Sequence, residues 1–579
     1  MYRNHVNGTL RLSDVGSKVT LTGWVAQRRN LGSLLFLDLR DSTGIVQCVS
    51  ANPDALPDVR NEYVVQVIGT VQKKDVPNKN LPTGEIEVAI EELKVINKAQ
   101  TTPFIIADRT DALEDTRLQY RYLDLRRPCI QRNLRIRAAI VRCVHEYFGE
   151  HGFLEVETPM LNLSSPEGAK EYLVPSRVHH GAFYALPQSP QLWKQLLMIG
   201  GIERYYQVAR CFRDEDLRAD RQPEFTQIDL ETSFMDMDEI LTLQEGFLKK
   251  AFKEAAGIDI ETPFRRIPYW EAMDTYGSDK PDTRYGLTIK DLSILKCSSF
   301  EGFGEKDYVK GIVVPGVAST TSRKNLDELN LEARKFSLKG VIALKYLNGT
   351  LEGSFAKFLD AALVDELIAA LELKDGDLVL FASHADRRKI DTGLGALRSL
   401  YARKLNLIAP NTYDLLWVVD FPMFTPVDGE EGRYVADHHP FTRPRDEDLA
   451  KLDTAPEEVL AYAYDIVING YEAGGGTLRI YDHDIQWKIF NLLGLSDEDV
   501  AKKFGWFVDA FKYGAPPHGG LAYGLDRLTM IMAGTDNIRD VIAFPKNLQA
   551  VDPTSKAPRE VTPDQLEILG LELAKESDE

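Results

Sequence analysis

Residues 210–231 limit the folds open to this chain more than any other segment, because polar and apolar residues alternate on both sides of a charged loop. Before the loop, Arg213 and Glu215 are expected on one face of a strand, since side chains alternate between the two faces. After the loop, one face of the next strand would carry Phe225, Gln227, Asp229 and Glu231. Aligned carboxylates on a sheet are costly unless ligands, metals or cations balance them. The segment predicts a β-hairpin whose charged face either binds a ligand or forms a ladder of salt bridges.

A second hairpin is predicted around the Asn-Gly pair at 469–470, which is a strong signal for a two-residue turn. Such a turn pairs Val467 with Glu472 and puts Asp465 and Glu472 on one face. Two carboxylates in this arrangement can hold Mg²⁺ against substrate phosphates. Strict alternation would turn Arg479 to the other face, so its participation requires a bulge within the glycines that follow Glu472.

A third motif, residues 520–527, places glycines before an apolar helical segment with Arg527 in its first turn. The chain has no Gly-x-x-x-x-Gly-Lys-Ser/Thr loop of the common nucleotide-binding fold. Arginines make multidentate contacts with phosphate oxygens. Arg213 and Arg527, together with the carboxylates, therefore predict a different way of binding ATP.

The first hundred residues predict a small β-barrel of the OB-fold type, because short apolar-alternating segments are separated by Gly, Asn and Pro. The predicted strands are Val19–Val25, Leu34–Arg40, Ile45–Val49, Tyr63–Val71 and Glu85–Ile90. Phe36 lies on the otherwise polar face of the second strand, near Gln47. This face suits the stacking of single-stranded bases. A solvated face with one stray aromatic is equally compatible with the segment.

Length and composition predict a multidomain cytoplasmic protein. The chain has 579 residues, more than a single hydrophobic core usually supports. It shows no apolar stretch of 18 residues and no signal-peptide pattern, so we expect no membrane span. Its five cysteines lack the spacing of zinc or redox motifs. A net charge of −19 argues against indiscriminate coating of nucleic acid.

Several of these segments resemble a known family. Residues 153–159, 212–231 and 520–527 resemble, in order, the three signature motifs of class II aminoacyl-tRNA synthetases. Three further segments are similar to the aspartyl members in particular: Gln188–Lys194, His438–Phe441 and Asn469–Gly476. The resemblance covers nearly the whole chain, including the N-terminal barrel and an insertion typical of the bacterial type.

The resemblance implies an α+β fold with an OB-fold β-barrel, an antiparallel catalytic sheet and an inserted α/β domain. The implied domains are an anticodon-binding domain (1–104), a linker (105–127), a catalytic domain in two parts (128–275 and 410–545), the inserted domain (276–409) and a C-terminal extension (546–579). The residue pattern by itself predicts a helix over residues 130–148, from apolar residues at helical spacing, and helices near Leu326–Phe336 and Phe358–Leu371. The inserted segment, residues 276–409, carries no chemical motif of its own, and the last 35 or so residues are expected to be extended. The resemblance also implies a homodimer joined partly through the motif around Pro159.

The same resemblance implies that ATP, L-aspartate and the aspartate tRNA are substrates and that Mg²⁺ is bound. ATP would contact Arg213, Asp214, Glu215, Gln222, Phe225, Glu472, Gly524, Leu525, Asp526 and Arg527, of which Arg213 and Arg527 are the catalytic arginines. Aspartate would contact Glu167, Ser189, Gln191, Lys194, Arg213, Asp229, His438 and Arg479. Mg²⁺ would bind Asp465 and Glu472. The anticodon would be read by Arg29, Leu31, Phe36, Gln47, Asn78, Asn80 and Glu87.

Other specificities and roles fit the residues less well. Lys194 and Arg479 make the side-chain end of the site cationic, which favours aspartate over lysine and asparagine. An inactive RNA-binding relative would not need the full set of arginines and carboxylates, and an amidating enzyme would not need the barrel. We expect His438 to close over the substrate, whereas His439 is either functional or simply packed. Some bacterial members of the family charge the asparagine tRNA as well as the aspartate tRNA, and these commonly carry His at the position of Leu31. We therefore expect this chain to discriminate against the asparagine tRNA, unless Leu31 only packs the barrel.

Overall fold

The computed structural model describes residues 1–164, 170–336, 338–427, 430 and 432–574. The chain forms two compact units, one made of Met1–Leu134 and Ile542–Arg559 and the other of Arg135–Val541 and Glu560–Glu579. Among the described residues, every helix is too short or too polar to span a membrane.

The first unit contains a closed five-stranded barrel with the strand order β1-β2-β3-β5-β4. Its strands are β1 (Lys18–Leu31), β2 (Leu34–Asp41), β3 (Gly44–Ser50), β4 (Val64–Lys73) and β5 (Ile86–Asn97). Alternation explains the core, since Leu35, Leu37 and Leu39 point inward and are buried whereas Phe36 points outward. The predicted OB-fold is confirmed, with β1 and β5 each extending about six or seven residues beyond the predicted strand ends.

The segment predicted to be an irregular linker contains two short helices, α1 (Glu114–Gln119) and α2 (Arg121–Asp124). Asp124 is fully buried and accepts hydrogen bonds from Arg121 at 2.5 Å and Arg127 at 2.8 Å. Arg121 also donates to the carbonyl oxygens of Ile542 and Ala543. Ion pairs, rather than apolar contacts, therefore stabilise the folded conformation of this segment. The pattern of apolar residues in the sequence could not predict this conformation.

The chain continues through ten elements: α3 (Pro128–Glu150), β6 (Leu154–Glu155), β7 (Leu173–Pro175), β8 (Phe183–Ala185), α4 (Gln191–Ile199), β9 (Arg204–Phe212), β10 (Glu224–Ser233), α5 (Met237–Ala251), β11 (Arg265–Pro268) and α6 (Tyr269–Tyr276). α3 confirms the helix predicted from the apolar spacing of residues 130–148. A π-helical turn, Phe252–Ala256, extends α5.

The next elements are five strands, which form an antiparallel sheet with the order β12-β13-β16-β14-β15, and three helices. They are β12 (Lys290–Asp291), β13 (Tyr308–Val314), α7 (Arg323–Lys335), β14 (Ile342–Leu347), β15 (Thr350–Glu352), α8 (Ala361–Leu371), β16 (Leu378–His384) and α9 (Arg387–Lys404). One face packs on α7 and α9 and the other on α8. α7 and α8 match the helices predicted near Leu326–Phe336 and Phe358–Leu371, whereas α9 was not predicted.

The remaining elements are β17 (Leu415–Val419), β18 (Phe424–Pro426), β19 (Tyr434–Ala436), β20 (Ala463–Ile468), β21 (Tyr471–Leu478), α10 (His483–Leu492), α11 (Asp497–Phe511), β22 (His518–Gly524), α12 (Leu525–Ala533) and α13 (Pro563–Leu569). The 3₁₀ segments are Asn7–Thr9, Leu12–Asp14, Pro53–Ala55, Ser293–Cys297, Ala356–Phe358, Asp446–Asp453, Pro456–Glu458 and Ile538–Val541. α13 corrects the prediction that the C-terminal residues are wholly extended, because Thr562 caps a short helix there.

The centre of the second unit is an eight-stranded sheet with the order β11-β17-β20-β21-β22-β10-β9-β6. Its inner strands are antiparallel, and the pairs β11/β17 and β6/β9 at the two edges are parallel. The predicted hairpin is the β9/β10 pair, in which Phe225 faces Cys211. One prediction about it is wrong: β9 ends at Phe212, so Arg213 and Glu215 lie in the loop and not on the strand.

Candidate active site

Both predicted hairpins and the start of α12 contribute to one cavity of about 490 Å³ in the second unit. Most residues predicted to bind substrates or metal line it: Ser189, Gln191, Lys194, Arg213, Glu215, Gln222, Phe225, Asp229, His438, Asp465, Glu472, Arg479, Gly524, Asp526 and Arg527. Asp214 and Leu525 are not part of this lining, and Leu525 is buried in the apolar core. Glu167 lies outside the described residues.

Two arginines present unsatisfied donors near this cavity. The guanidinium of Arg213 lies over the ring of Phe225, with Cζ 5.1 Å from the ring centre. Arg527 donates to the carbonyl oxygen of Glu472 at 2.5 Å and contacts Asp220 at 3.3 Å. The Nε atoms of Arg213 and Arg527 are buried and have no hydrogen-bond partner among the described residues. Buried donors without partners are uncommon in native proteins, so both arginines are suited to an anionic ligand.

Asp526 lines the cavity but is held by the protein itself. One carboxylate oxygen accepts a hydrogen bond from the backbone N–H of Thr226 at 2.8 Å, and the other accepts one from Arg137. Asp526 lies in the first turn of α12, where its negative charge is also favoured by the helix dipole. These contacts fix α12 against β10, and thereby the position of Arg527 in the same turn.

The β20/β21 hairpin carries the two carboxylates predicted to bind Mg²⁺, Asp465 and Glu472, here called the acidic pair. Val467 faces Glu472 as predicted, but Ile466 faces Gly474, so Ala473 is an extra residue in β21. A bulge is therefore present, but at Ala473, immediately before the glycine triplet and not within the glycines as expected. A Cβ atom on Gly475 would collide with Asp465 Oδ1 and would lie 3.8 Å from Glu472 Oε1. Glycine at 475 thus leaves open the space next to both carboxylates.

The acidic pair is electrostatically unbalanced. Burial and the adjacent charge of Glu472 raise the pKa of Asp465 well above its usual range. Burial opposes the ionisation of Glu472 as well, but the charges of Lys280 and Arg527 hold the pKa of Glu472 below its usual value. Lys280 Nζ lies 3.2 Å from Glu472 and 2.9 Å from Asp279. A cation is therefore already in contact with one of the two carboxylates.

Lys280 belongs to residues 276–409, the segment in which no chemical motif was predicted, and it lies beside a predicted metal ligand. Only two carboxylates form this pair, and no group of three or more His, Cys, Asp or Glu side chains suited to a metal occurs in the part of the chain that the structure describes. Any metal held here would need further ligands from a substrate or from water.

A buried charge network forms another part of the cavity. Lys194 Nζ lies 2.7 Å from Asp229 and 3.1 Å from Glu231. Arg479 donates to both oxygens of Glu231, at 2.9 and 3.2 Å. All four side chains are almost completely buried. Two cations and two anions therefore balance, which removes the cost of leaving a buried charge unpaired.

The two carboxylates of this network differ in acidity. Burial raises the pKa of Asp229, although Lys194 opposes the shift. Burial acts on Glu231 too, but Arg479 and Lys194 together hold its pKa below the usual value. Glu231 was left out of the predicted site, even though strand alternation had placed it on the same face as Asp229. Its partner Arg479 follows β21, so only the three-dimensional contact reveals the pair.

The adjacent histidines have different surroundings. His439 Nε2 accepts a hydrogen bond from Arg479 at 2.5 Å, which requires a neutral ring at that nitrogen. Burial and the charge of Arg479 hold the pKa of His439 well below its usual value. His438 packs edge-on against Phe421, with the ring centres 4.5 Å apart, and burial lowers its pKa. His439 is therefore part of the charged network and not an isolated packed histidine.

The predicted anticodon residues lie on the outer face and loops of the barrel. Arg29 donates to Asp38 at 2.8 Å, and Gln47 donates to Glu87 at 2.8 Å. Asp38 was not predicted, although it alternates with the buried leucines of β2. Asn78 and Asn80 are exposed in the loop between β4 and β5. Leu31 is 65% exposed, which excludes the interpretation that it packs the barrel interior.

Comparisons with known proteins decide the family. Residues 113–548 match the model of the class II tRNA synthetases (D, K and N), and residues 19–96 match the OB-fold nucleic acid binding domain. This chain belongs to the class II tRNA synthetases. The family, the fold class and the enzyme class predicted from the sequence are thereby confirmed.

Curated relatives of this synthetase match it along nearly its whole length. It is 51% identical over 584 residues to the aspartate–tRNA(Asp/Asn) ligase of Caldanaerobacter subterraneus, covering 99% of this chain and 98% of that protein. It is also 51% identical over 586 residues to the aspartate–tRNA ligase of Lysinibacillus sphaericus, covering 98% of each. Within its class, this synthetase therefore belongs to the aspartate–tRNA ligases.

Solved structures share the fold. The asparaginyl-tRNA synthetase of Pyrococcus horikoshii, solved with asparaginyl-adenylate, aligns with a TM-score of 0.57 at 21% identity, covering 92% of this chain and 96% of that one. The asparaginyl-tRNA synthetase of Entamoeba histolytica aligns with a TM-score of 0.58 at 16% identity, covering 93% and 97%. At these identities the likeness concerns the fold alone.

Proposed function

We propose that this synthetase activates L-aspartate with ATP, releases pyrophosphate, and transfers the aspartyl group to the 3′-terminal ribose of the aspartate tRNA. The observation that carries the proposal is the joining, in one cavity, of two arginines with unpaired donors and a buried network containing Lys194 and Arg479. The first pair suits a polyphosphate and the second suits a carboxylate side chain. The identity to curated aspartate–tRNA ligases supports the same substrates.

In the first step, an oxygen of the α-carboxylate of aspartate attacks the α-phosphorus of ATP, and the bond to the departing pyrophosphate breaks. Arg213, at the loop edge of the β9/β10 hairpin, is assigned to the α-phosphate, and Arg527 to the γ-phosphate. Phe225 would stack on adenine. Fixed cations stabilise charge that develops in the transition state without reorganising, so the protein needs no nucleophile of its own.

Aspartate itself is assigned to the buried network. Its side-chain carboxylate would contact Lys194 and Arg479, and its ammonium group would lie near Asp229 and Gln191. Gln191 Nε2 is a buried donor without a partner among the described residues, so an acceptor oxygen of the substrate would satisfy it. In the second step the terminal ribose hydroxyl of the tRNA attacks the aspartyl carbonyl carbon, and AMP leaves.

Mg²⁺ fits the acidic pair. Asp465 and Glu472 provide hard oxygen ligands beside the space that Gly475 leaves open. Burial and the charge of Glu472 raise the pKa of Asp465, and a bound cation would favour its ionised form. When bound, the ion would neutralise phosphate charge and favour the departure of pyrophosphate. Asp465 and Glu472 would hold the ion, and Lys280 would have to share Glu472 with it.

Three further features belong to the proposal. The barrel would read the anticodon through Phe36 and the Gln47–Glu87 pair, and Leu31 would restrict charging to the aspartate tRNA. The synthetase would act in the cytoplasm, where ATP and tRNA are available. It would form a homodimer through the motif near Pro159, where Leu154, Met160 and Leu161 are exposed apolar residues.

The experiment that tests the activity is ATP–pyrophosphate exchange with each of the twenty amino acids, followed by charging of purified tRNAs. We expect aspartate alone to support rapid exchange, because the side-chain NH₂ of asparagine would meet the N–H donors of Lys194 and Arg479 where a carboxylate oxygen of aspartate accepts. Sites built around buried polar contacts reject such analogues by about 10⁴ to 10⁵. Comparable exchange with asparagine would contradict the substrate assignment, and sedimentation of the purified protein tests the dimer.

A further inference from the structure

The first turn of α9 carries two adjacent arginines that both lie over Trp270 of α6 but donate hydrogen bonds to different parts of the second unit. Arg387 donates to both oxygens of Asp274 in α6, at 3.0 and 2.5 Å, and its Cζ lies 4.1 Å from the ring centre of Trp270. Arg388 donates to Thr425 Oγ1 at 2.6 Å and to Asp437 Oδ2 at 2.9 Å. The two side chains are equally exposed, at 32% and 33%.

Asp437 is the residue before His438, and its carboxylate is fully engaged. Oδ2 accepts from Arg388 and Oδ1 accepts from Thr425 Oγ1. Its backbone N–H donates to the carbonyl oxygen of Met423 at 3.1 Å. Arg388 thus joins both arms of the β18/β19 hairpin, at Thr425 on one arm and Asp437 immediately after the other. The backbone that carries His438 and His439 begins at this fixed point.

His438 lines the cavity, and His439 contacts Arg479 in the charged network. In the described part of the chain no hydrogen bond joins Arg388 to either histidine. Arg388 acts on them through Asp437 and the chain that follows, and also through Tyr269, whose ring lies 5.6 Å from its Cζ and packs on Phe421 beside His438. Charge-assisted pairs of this kind hold geometry better than neutral contacts do. A shift of Asp437 would therefore move the histidines relative to Lys194 and Arg479.

We infer that Arg388 is a positioning residue for aspartate binding: by fixing Asp437 and Thr425, it holds the histidine pair over the part of the cavity assigned to aspartate. The inference rests on the proposed function, because it assumes that aspartate occupies the network around Lys194 and Arg479. Residues 276–409, which include Arg388, then have a role in aspartate binding in addition to packing. The five-stranded sheet and α9 present one side chain that sets the shape of the amino-acid pocket.

Arg387 is a matched control, since it is the neighbouring residue and makes an ion pair of the same kind with similar exposure. It contacts α6 and not the hairpin that leads to His438. Removing Arg387 weakens the packing of α9 on the second unit but leaves Asp437 with its partners. A purely structural role of Arg388 would therefore give the same kinetic result in both variants.

The experiment measures ATP–pyrophosphate exchange as a function of aspartate and of ATP for wild type, Arg388→Ala, Arg388→Lys and Arg387→Ala, together with melting temperatures. For Arg388→Ala we expect the KM for aspartate to rise about tenfold, since one charged hydrogen bond is lost. The KM for ATP should stay within about twofold, as should both constants in Arg387→Ala. Arg388→Lys should recover part of the loss, because an ammonium can pair with Asp437 but lacks the planar fork with which the guanidinium directs separate N–H groups at Asp437 and Thr425.

Two results would overturn the inference: an unchanged KM for aspartate in Arg388→Ala, or an equal rise in Arg387→Ala. If Arg388→Ala does not fold, Thr425→Val replaces it, because this change removes the hydroxyl that contacts both Arg388 and Asp437 while keeping the volume. The inference then requires a raised KM for aspartate in Thr425→Val. Absence of aspartate-dependent exchange in wild type is a different outcome, since it would refute the proposed function and with it the pocket that Arg388 is inferred to shape.

Discussion

Arg479 and Glu231, which are 248 residues apart in the chain, form a two-pronged buried ion pair with N···O distances of 2.9 and 3.2 Å. The guanidinium predicted to receive the side chain of aspartate thus already has a carboxylate partner. Lys194 is likewise shared between Asp229 and Glu231. A substrate carboxylate would therefore join an existing network and would not meet two free cations.

The first prediction concerns the stability of this network. In Glu231→Gln, the neutral amide leaves Arg479 and Lys194 with one anion between them. Breaking a buried pair by removing one partner costs about 3 to 5 kcal/mol, so we expect a clear fall in melting temperature. The matched control is Glu215→Gln, which changes an exposed pair with Arg221 worth about 1 kcal/mol or less. Equal melting temperatures of the two variants would contradict the prediction.

The second prediction concerns the arginines assigned to the phosphates. Arg213→Ala and Arg527→Ala should each lower the rate of aspartate-dependent pyrophosphate exchange by about 10² to 10³, the usual effect of losing one preorganised contact to a developing charge. The melting temperature of Arg213→Ala should change little, because its Nε atom has no protein partner among the described residues, whereas Arg527→Ala also loses the contacts with Glu472 and Asp220 and should melt at a slightly lower temperature. Arg210→Ala removes an arginine of β9 that pairs with Glu224 and does not line the cavity. Near-normal exchange in either cavity variant, or an equal loss in Arg210→Ala, would count against the assignment.

The third prediction concerns Lys280 and the acidic pair. An ammonium group 3.2 Å from Glu472 competes with any cation that binds there. Lys280→Met should therefore lower the Mg²⁺ concentration needed for half-maximal exchange roughly tenfold, since a charged hydrogen bond contributes about 1.5 kcal/mol. The rise in melting temperature caused by Mg²⁺ and ATP should also begin at a lower Mg²⁺ concentration. Lys253→Met, which removes an exposed pair with Asp259, should leave both curves in place. A higher Mg²⁺ requirement in Lys280→Met would show that Lys280 assists the metal.

The features that can be predicted from the sequence are those set by residues close together in the chain. The leucines of β2 point inward because alternation leaves only one face for them, and the Asn-Gly turn gives the correct partner for Glu472. A bulge in β21 was expected only on the condition that Arg479 joins the site, and it lies at Ala473 and not within the glycines. These features depend on residues within one or two strands of each other.

Contacts made at long range were not predictable in the same way. Lys280 belongs to a segment without a motif and meets Glu472 only after the chain has completed the five-stranded sheet. Asp124 lies in the segment expected to be a linker, yet it is buried between two arginines. From the sequence alone a charged residue is expected to be exposed, because its ion-pair partner is determined by the three-dimensional fold. The site was therefore predicted most completely where its residues share a hairpin.

The last prediction concerns the choice between two tRNAs. Leu31 is the last residue of β1 and pairs with Leu34 across the turn formed by Gly32, which has a left-handed φ of 64°. Because Leu31 is 65% exposed, its replacement should not lower the melting temperature, and any effect should lie in tRNA recognition. Leucine offers no donor or acceptor to a base that differs between the two anticodons.

We therefore expect wild type to charge the aspartate tRNA and to reject the asparagine tRNA, whose polar base edge would be left unsatisfied at a cost of about 1 to 3 kcal/mol. Leu31→His, which adds a donor and an acceptor at the same point, should reduce this preference. Leu34→His is the matched control, because it introduces the same ring on the facing residue of the turn, and it should keep the preference. The relatives carry both names, one of them a tRNA(Asp/Asn) ligase, so charging of the two purified tRNAs is the decisive measurement. Equal wild-type charging of both tRNAs would refute the role given to Leu31 and leave aspartate activation untouched.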